Sequence, residues 1–176
     1  LGEETSLSLD GSVSLDGGTG TANIVAERLD GQGRFDIAGS YDNASRQLAL
    51  AVSLQEEPGG LVVRALDLSG QPSVDLTLQG DGALEDFSAD LTLATNGIER
   101  ITGQFGFVQV TDDAAGNRLD IRLGVEGDVG ALLPPDYAAF FGNNARLGVQ
   151  IERPDDGSTN LRELQVATQS LSLSGT

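Results

Sequence analysis

Residues 6–16 read Ser-Leu-Ser-Leu-Asp-Gly-Ser-Val-Ser-Leu-Asp, apolar and polar in strict alternation. Successive side chains of an extended chain point to opposite sides, so a period of two gives a strand with one apolar and one watered face. The same alternation returns along almost the whole chain. It runs through Leu48, Leu50, Val52 and Leu54, then Val74, Leu76 and Leu78, then Phe87, Ala89, Leu91 and Leu93. Ile101, Gly103, Phe105 and Phe107 follow, then the stretch Leu119 to Val129, and later Leu147, Val149 and Ile151. Turn residues punctuate it at Gly17-Gly18, Asp30-Gly31-Gln32-Gly33, Asp42-Asn43, Glu56 to Gly60, Asp112 to Asn117 and Pro154 to Gly157. The expectation is an all-β chain of about eleven or twelve short strands in an antiparallel meander. Residues 1–176 read as a single repetitive domain. Leu61 to Gly70 is predicted as a further strand with a bulge between Val63 and Leu66, and a second phase slip is predicted before Val108 and Val110.

The motif apolar-x-apolar-x-Gly occurs at Leu7 to Gly11, Val13 to Gly17, Leu66 to Gly70, Leu76 to Gly80, Leu123 to Gly127 and Leu171 to Gly175. In each the glycine keeps the apolar phase. A glycine on the inner face leaves room for a sheet to bend sharply; the other reading is that these glycines end strands. "DLTL" at Asp75 and again at Asp90 adds a hint of internal repetition.

One stretch does not alternate. Ala131 to Gly142 holds Pro134-Pro135, suited to a first helical turn, and closes on Gly142. Leu133, Tyr137, Phe140 and Phe141 fall at three- and four-residue spacing, so a helix near 134–141 is expected to act as a plug over the end of the β core.

Composition narrows the chemistry. The formal net charge is −17, from 27 acidic residues against 10 arginines and no lysine. Such a surface repels phosphate, so no nucleic-acid partner is expected. Cys, His, Met and Trp are absent. No disulfide, thiolate or imidazole chemistry is open to the chain, and neither a catalytic residue nor a cofactor is assigned. Acidic groups at Asp112-Asp113, Asp128, Asp136 and Asp155-Asp156 form no complete calcium loop and sit where turns favour Asp. No metal is assigned either. No apolar run is long enough to cross a bilayer as a helix, and Leu1 in place of Met reads as an internal fragment of a longer chain.

Leu133-Pro134-Pro135-Asp136-Tyr137, then Phe141-Gly142, directly after the strand Leu119 to Gly127, resembles the periplasmic TamB proteins of Gram-negative bacteria, which are relatives of AsmA. The resemblance covers about residues 65–176. It implies a long antiparallel sheet curled lengthwise into an open hydrophobic groove, here about 5 nm long at about 4.8 Å per strand. It implies a periplasmic location, with the full-length protein anchored in the inner membrane by an N-terminal segment not present here. The groove of such a protein shields the acyl chains of phospholipid or another lipid on the way between inner and outer membrane, without enzymatic activity. The resemblance also implies a TamA-like outer-membrane barrel as partner through other parts of the protein, and assistance in the assembly of client outer-membrane proteins such as autotransporters. The groove-lining candidates are the apolar-phase residues of the best-patterned strands: Leu76, Leu78, Leu91, Leu93, Ile101, Phe105, Phe107, Leu119, Ile121, Leu123, Val125, Leu147 and Val149. The alternative is a structural or adhesive β-sandwich or solenoid repeat with a closed core and no ligand, because each of these side chains would equally suit such a core.

Overall fold

The computed structural model describes residues 5–112 and 116–176. Eleven antiparallel strands form one sheet in which strand order equals sequence order. They are β1 (Leu7–Asp16), β2 (Thr19–Arg28), β3 (Gly33–Asp42), β4 (Gln47–Glu56), β5 (Val74–Ala83) and β6 (Asp86–Thr95). Then come β7 (Ile98–Asp112), β8 (Gly116–Gly127), β9 (Ala145–Pro154), β10 (Asn160–Ala167) and β11 (Ser172–Gly175). Helix α1 (Leu61–Ala65) lies between β4 and β5. A 3₁₀ turn (Val129–Ala131) and helix α2 (Pro135–Phe141) lie between β8 and β9. The sheet is not closed, since β1 and β11 each pair with one neighbour only.

The period of two is the cause of this arrangement. Each strand is too polar on one side to be buried there and too apolar on the other to stand alone, so consecutive strands pair through tight turns and share their faces. The turn Asn96-Gly97 shows the local chemistry: both residues are left-handed, at φ 51° and 72°, which matches the two-residue hairpin loop whose twist suits flanking strands.

Three sequence expectations are corrected. Leu61 to Gly70 is not a strand. Because β4 and β5 pair directly, with Glu56 opposite Val74, the residues between them have no partner in the ladder. Leu61–Ala65 instead forms α1, whose first N–H groups are capped by the Glu56 carboxylate, at 2.9 Å from Leu61 N and 2.8 Å from Val62 N. Glu56 stands at an apolar-phase position and is itself buried, so the acid that breaks the pattern of β4 is the anchor of α1. The second correction concerns β7. The extra residue is Arg100, where Leu93 faces Ile101 but Ala94 faces Glu99, and pairing with β8 runs unbroken from Ile101 to Asp112. Val108 and Val110 therefore lie on the face opposite Phe107. The turn expected at Asp112 to Asn117 falls largely on residues 113–115, outside the described residues, as does Asp113 of the acidic pair. Val129, expected in the strand, belongs to the 3₁₀ turn.

The two long connections both follow even-numbered strands, so both lie along the same rim of the sheet. They are tied together by a bond from Ser69 N to the Leu132 carbonyl at 3.1 Å. The described part of the opposite rim carries short turns only. Burial is sparse. Val63, Val74, Phe87, Ala89, Leu132 and Ala145 are the buried apolar residues among those described. The accessible surface is 11041 Å², against about 8,100 Å² for a compact chain of this mass. The strands thus form a layer without a second layer on it.

Candidate functional site

Register places the apolar positions of all eleven strands on one continuous face. One row crosses it through Ile24, Ile37, Val52, Leu78, Leu91, Gly103, Val125, Leu147, Val166 and Leu173, each opposite the next. A second row joins Phe35, Leu54, Leu76, Leu93 and Ile101. All thirteen residues expected to line a groove share this face by register, and every one is half-buried. Half-burial follows from the geometry, since neighbours on the same face shield the flanks of a side chain while its tip stays bare. Leu119 is the marginal member. It stands opposite Gln109 and Arg153, where the apolar face runs out.

The repeated "DLTL" has a structural use. Its two copies pair antiparallel, so that Leu76 meets Leu93 and Leu78 meets Leu91. Beyond them the face becomes aromatic, with Phe87 stacked on Phe107 at 5.4 Å and Phe105 edge-on to Phe107 at 6.3 Å. Glycines of the same face are crowded here. A Cβ on Gly80 would lie 2.6 Å from the Cβ of its partner Ala89, where opposed Cβ atoms of a flat pair are about 4.5–5.5 Å apart. A Cβ on Gly103 would meet the Gly124 carbonyl oxygen at 2.6 Å. In contrast Gly39 and Gly11, toward β1, meet nothing closer than 3.5 Å.

Sequence reasoning confined the lining to the later strands and passed over Ile24, Ile37, Val52, Val166 and Leu173. The signal was present, because counting residues through each tight turn puts these in the same row. The structure leaves β1 the barest strand. Leu7, Leu9, Val13 and Leu15 are 55%, 75%, 73% and 84% exposed.

Along one rim the face is roofed. Of the residues expected to plug it, Phe141 and Leu133 are half-buried, but Tyr137 and Phe140 face outward, 59% and 41% exposed. Adjacent residues of a helix lie about 100° apart, so Phe140 and Phe141 cannot both turn in. Leu132, not expected to contribute, is buried instead. Phe141 and Val129 close an apolar cavity of about 260 Å³ against Ile101, Val125, Ala145, Leu147, Val166 and Thr168, with Glu126 and Arg146 at its border.

The other face is a different environment. Its depressions are lined by Gln104, Gln165, Arg122, Gln150 and the bare backbone of Gly124 and Gly148. Ion pairs run along and across its strands: Arg118 with Asp120 at 3.0 Å within β8, Arg146 of β9 with Glu126 of β8 at 2.9 Å and Arg162 of β10 with Glu152 of β9 at 2.5 Å, while Arg34 of β3 bridges Glu27 of β2 and Asp36 of its own strand. Hydrogen bonding from Arg162 holds the Glu152 carboxyl below its ordinary range, and Arg28 does the same for Asp30. At the turns Ser45 lowers Asp42 and Ser158 lowers Asp156, in each case by hydrogen bonds to the carboxylate. Among the described residues no group of three or more acidic side chains gathers as a metal site. Among the described residues no helix is long and apolar enough to cross a membrane.

No protein-family model, no curated protein and no solved structure matches this chain.

Proposed function

We propose that this chain is a segment of a TamB-like periplasmic lipid conduit, in which the apolar face curls into a groove that shields acyl chains between inner and outer membrane. The observation that carries the reading is the uncovered apolar face running across all eleven strands. Fully burying a large aliphatic side chain contributes about 1.5–3 kcal/mol, so the four on β1, exposed over most of their surface, together forgo about 4–9 kcal/mol in water. Hydrocarbon tails recover that energy without directional bonds, so a tail can slide along the face as well as sit on it. The crowded glycines Gly80 and Gly103 support the curl, because opposed strands draw together on the apolar side there. No catalytic group is needed for this activity. Its setting is the periplasm, with a membrane anchor and a TamA-like barrel supplied through other parts of a longer protein.

Native mass spectrometry of the purified chain, with titration by a fluorescent fatty acid, tests this. Co-purifying lipid, or saturable binding weakened about tenfold or more by Leu91→Arg or Ile121→Arg in folded variants, is the expected result. Both residues are half-buried on an open face, so arginine can extend into water and folding should survive. A lipid-free protein that ignores the probe, with both variants unfolded, would move the reading to a closed structural module.

A second reading rests on β1, a ten-residue strand at an unpaired edge. Such an edge can hold a strand of a client outer-membrane protein by backbone pairing. A strand peptide of alternating pattern should then crosslink to β1 and not to β6.

A further inference from the structure

We propose that the cavity beneath α2 is an end pocket, which takes the methyl end of a single acyl chain and sets where that chain begins on the apolar face. The inference rests on the reading of that face as lipid-binding and adds a defined subsite to it. The pocket lies between Phe141 and Val129 on the roof and Ile101, Val125, Leu147 and Val166 on the sheet, and measures about 260 Å³.

Three properties fix the class of occupant. The first is an apolar lining, which offers water few partners and hydrocarbon a wall of Ile101, Val125, Leu147 and Val166. The polar groups at this border are engaged elsewhere. Glu126 and Arg146 pair with each other, and the Thr168 hydroxyl accepts from Leu171 N at 3.0 Å and Ser170 N at 3.2 Å. Nothing inside would solvate a headgroup, so only the hydrocarbon end enters. The second property is size. At about 30 Å³ for a water-sized group, the space holds about nine such groups, and it falls below the range of about 300–1,000 Å³ that encloses a drug-sized molecule. A chain end fits and a fused-ring lipid does not. The third is continuity. Val125, Leu147 and Val166 belong to the row that crosses the sheet, so a chain leaving the pocket lies directly on the open face.

The roof is fixed before any ligand arrives. Gly130 N bonds the Gly142 carbonyl at 2.9 Å, and Gln169 N and Ser170 N bond the carbonyls of Phe141 and Phe140 at 3.2 Å. Asp128 receives Arg100 at 2.9 Å and Ala131 N at 3.2 Å. A preformed pocket spends little of the binding energy on ordering itself.

The test uses two photoreactive palmitic acids, one with a diazirine at the methyl end and one with it beside the carboxyl group. Each is irradiated with the whole chain and the labelled peptides are mapped by mass spectrometry. The expected result is that the methyl-end probe labels the peptides bearing Val129 and Phe141, and the carboxyl-end probe does not. Val166→Trp, or Ile101→Trp if the first does not fold, should cut that labelling about tenfold, as expected for two methylenes shut out of apolar contact. Methyl-end labels spread evenly along the strands and indifferent to the tryptophan would overturn the pocket and leave the open face standing. No labelling by either probe would remove both readings. A phospholipid carrying the same methyl-end diazirine separates the sources: pocket labelling by it points to tails of membrane lipid, and labelling by the free acid alone points to fatty acid.

Discussion

Gly80 and Gly124 are both strand glycines, and their surroundings are opposite. At Gly80 an added Cβ would run into Ala89, whereas at Gly124 nothing lies within 4 Å. Gly80→Val should therefore cost about 1–3 kcal/mol through overpacking. Gly124→Ala should gain about 0.5–1 kcal/mol, because it removes the excess freedom of glycine from a strand without a clash. Urea unfolding of the two variants checks the pair, and equal effects would mean that the sheet is not drawn together at Gly80. Glu56 gives a second contrast. Its carboxylate accepts two backbone N–H bonds at the start of α1, and charged bonds of this kind contribute about 1.5–3 kcal/mol. Glu56→Ala should speed hydrogen exchange at Leu61 and Val62 and leave the amides of β8 unchanged.

Among the elements, the strands were legible because a single physical rule, side-chain alternation, generates them. The strand expected from Leu61 to Gly70 failed where that rule was misled. Leu66 and Leu68 alternate with Asp67 and Ser69 by chance, while the chain there turns through left-handed Asp67 and Gln71. What decides that segment is the long-range pairing of Glu56 with Val74, which no local pattern reveals. Likewise the spacing of Tyr137, Phe140 and Phe141 announces α2 but not which side faces the sheet, since the bonds from Gln169 and Ser170 settle its rotation. The residues expected to line a groove were legible as one face, because register follows from strand phase and short turns; their shared half-burial was not, because it depends on the absence of a covering layer. Charge acts at this scale too. The carboxylates Asp30, Asp42, Glu152 and Asp156 are lowered in the folded state, so what they contribute is present at neutral pH and is lost as pH falls through their folded values, below the ordinary carboxylate range. The net charge of −17 works the other way, since mild acid relieves repulsion. The melting temperature should rise from pH 7 to about pH 5 and fall steeply below about pH 4. A monotonic fall from neutrality would contradict this balance.

In the whole molecule, each strand packs on its sequence neighbours and the two insertions meet along one rim. Contacts confined to neighbours make stability close to a sum of local terms, as in repeat proteins. Hydrogen exchange should therefore be graded, slowest in β5 to β9, where Val74, Phe87 and Ala89 are buried, and fastest in β1. A chain lacking residues 1–32 should keep the slow-exchanging strands folded, and uniform protection across the sheet would refute the neighbour-only picture. The position of the two long connections carries one more consequence. Both follow even-numbered strands, so inserting or deleting a whole hairpin anywhere in the meander leaves them on the same rim, and the loss of a single strand would throw every later connection to the other side. Length in such an architecture can change only in steps of two strands if the roof is to keep its side. Evolution can lengthen or shorten a sheet of this kind as one edits a text by whole couplets.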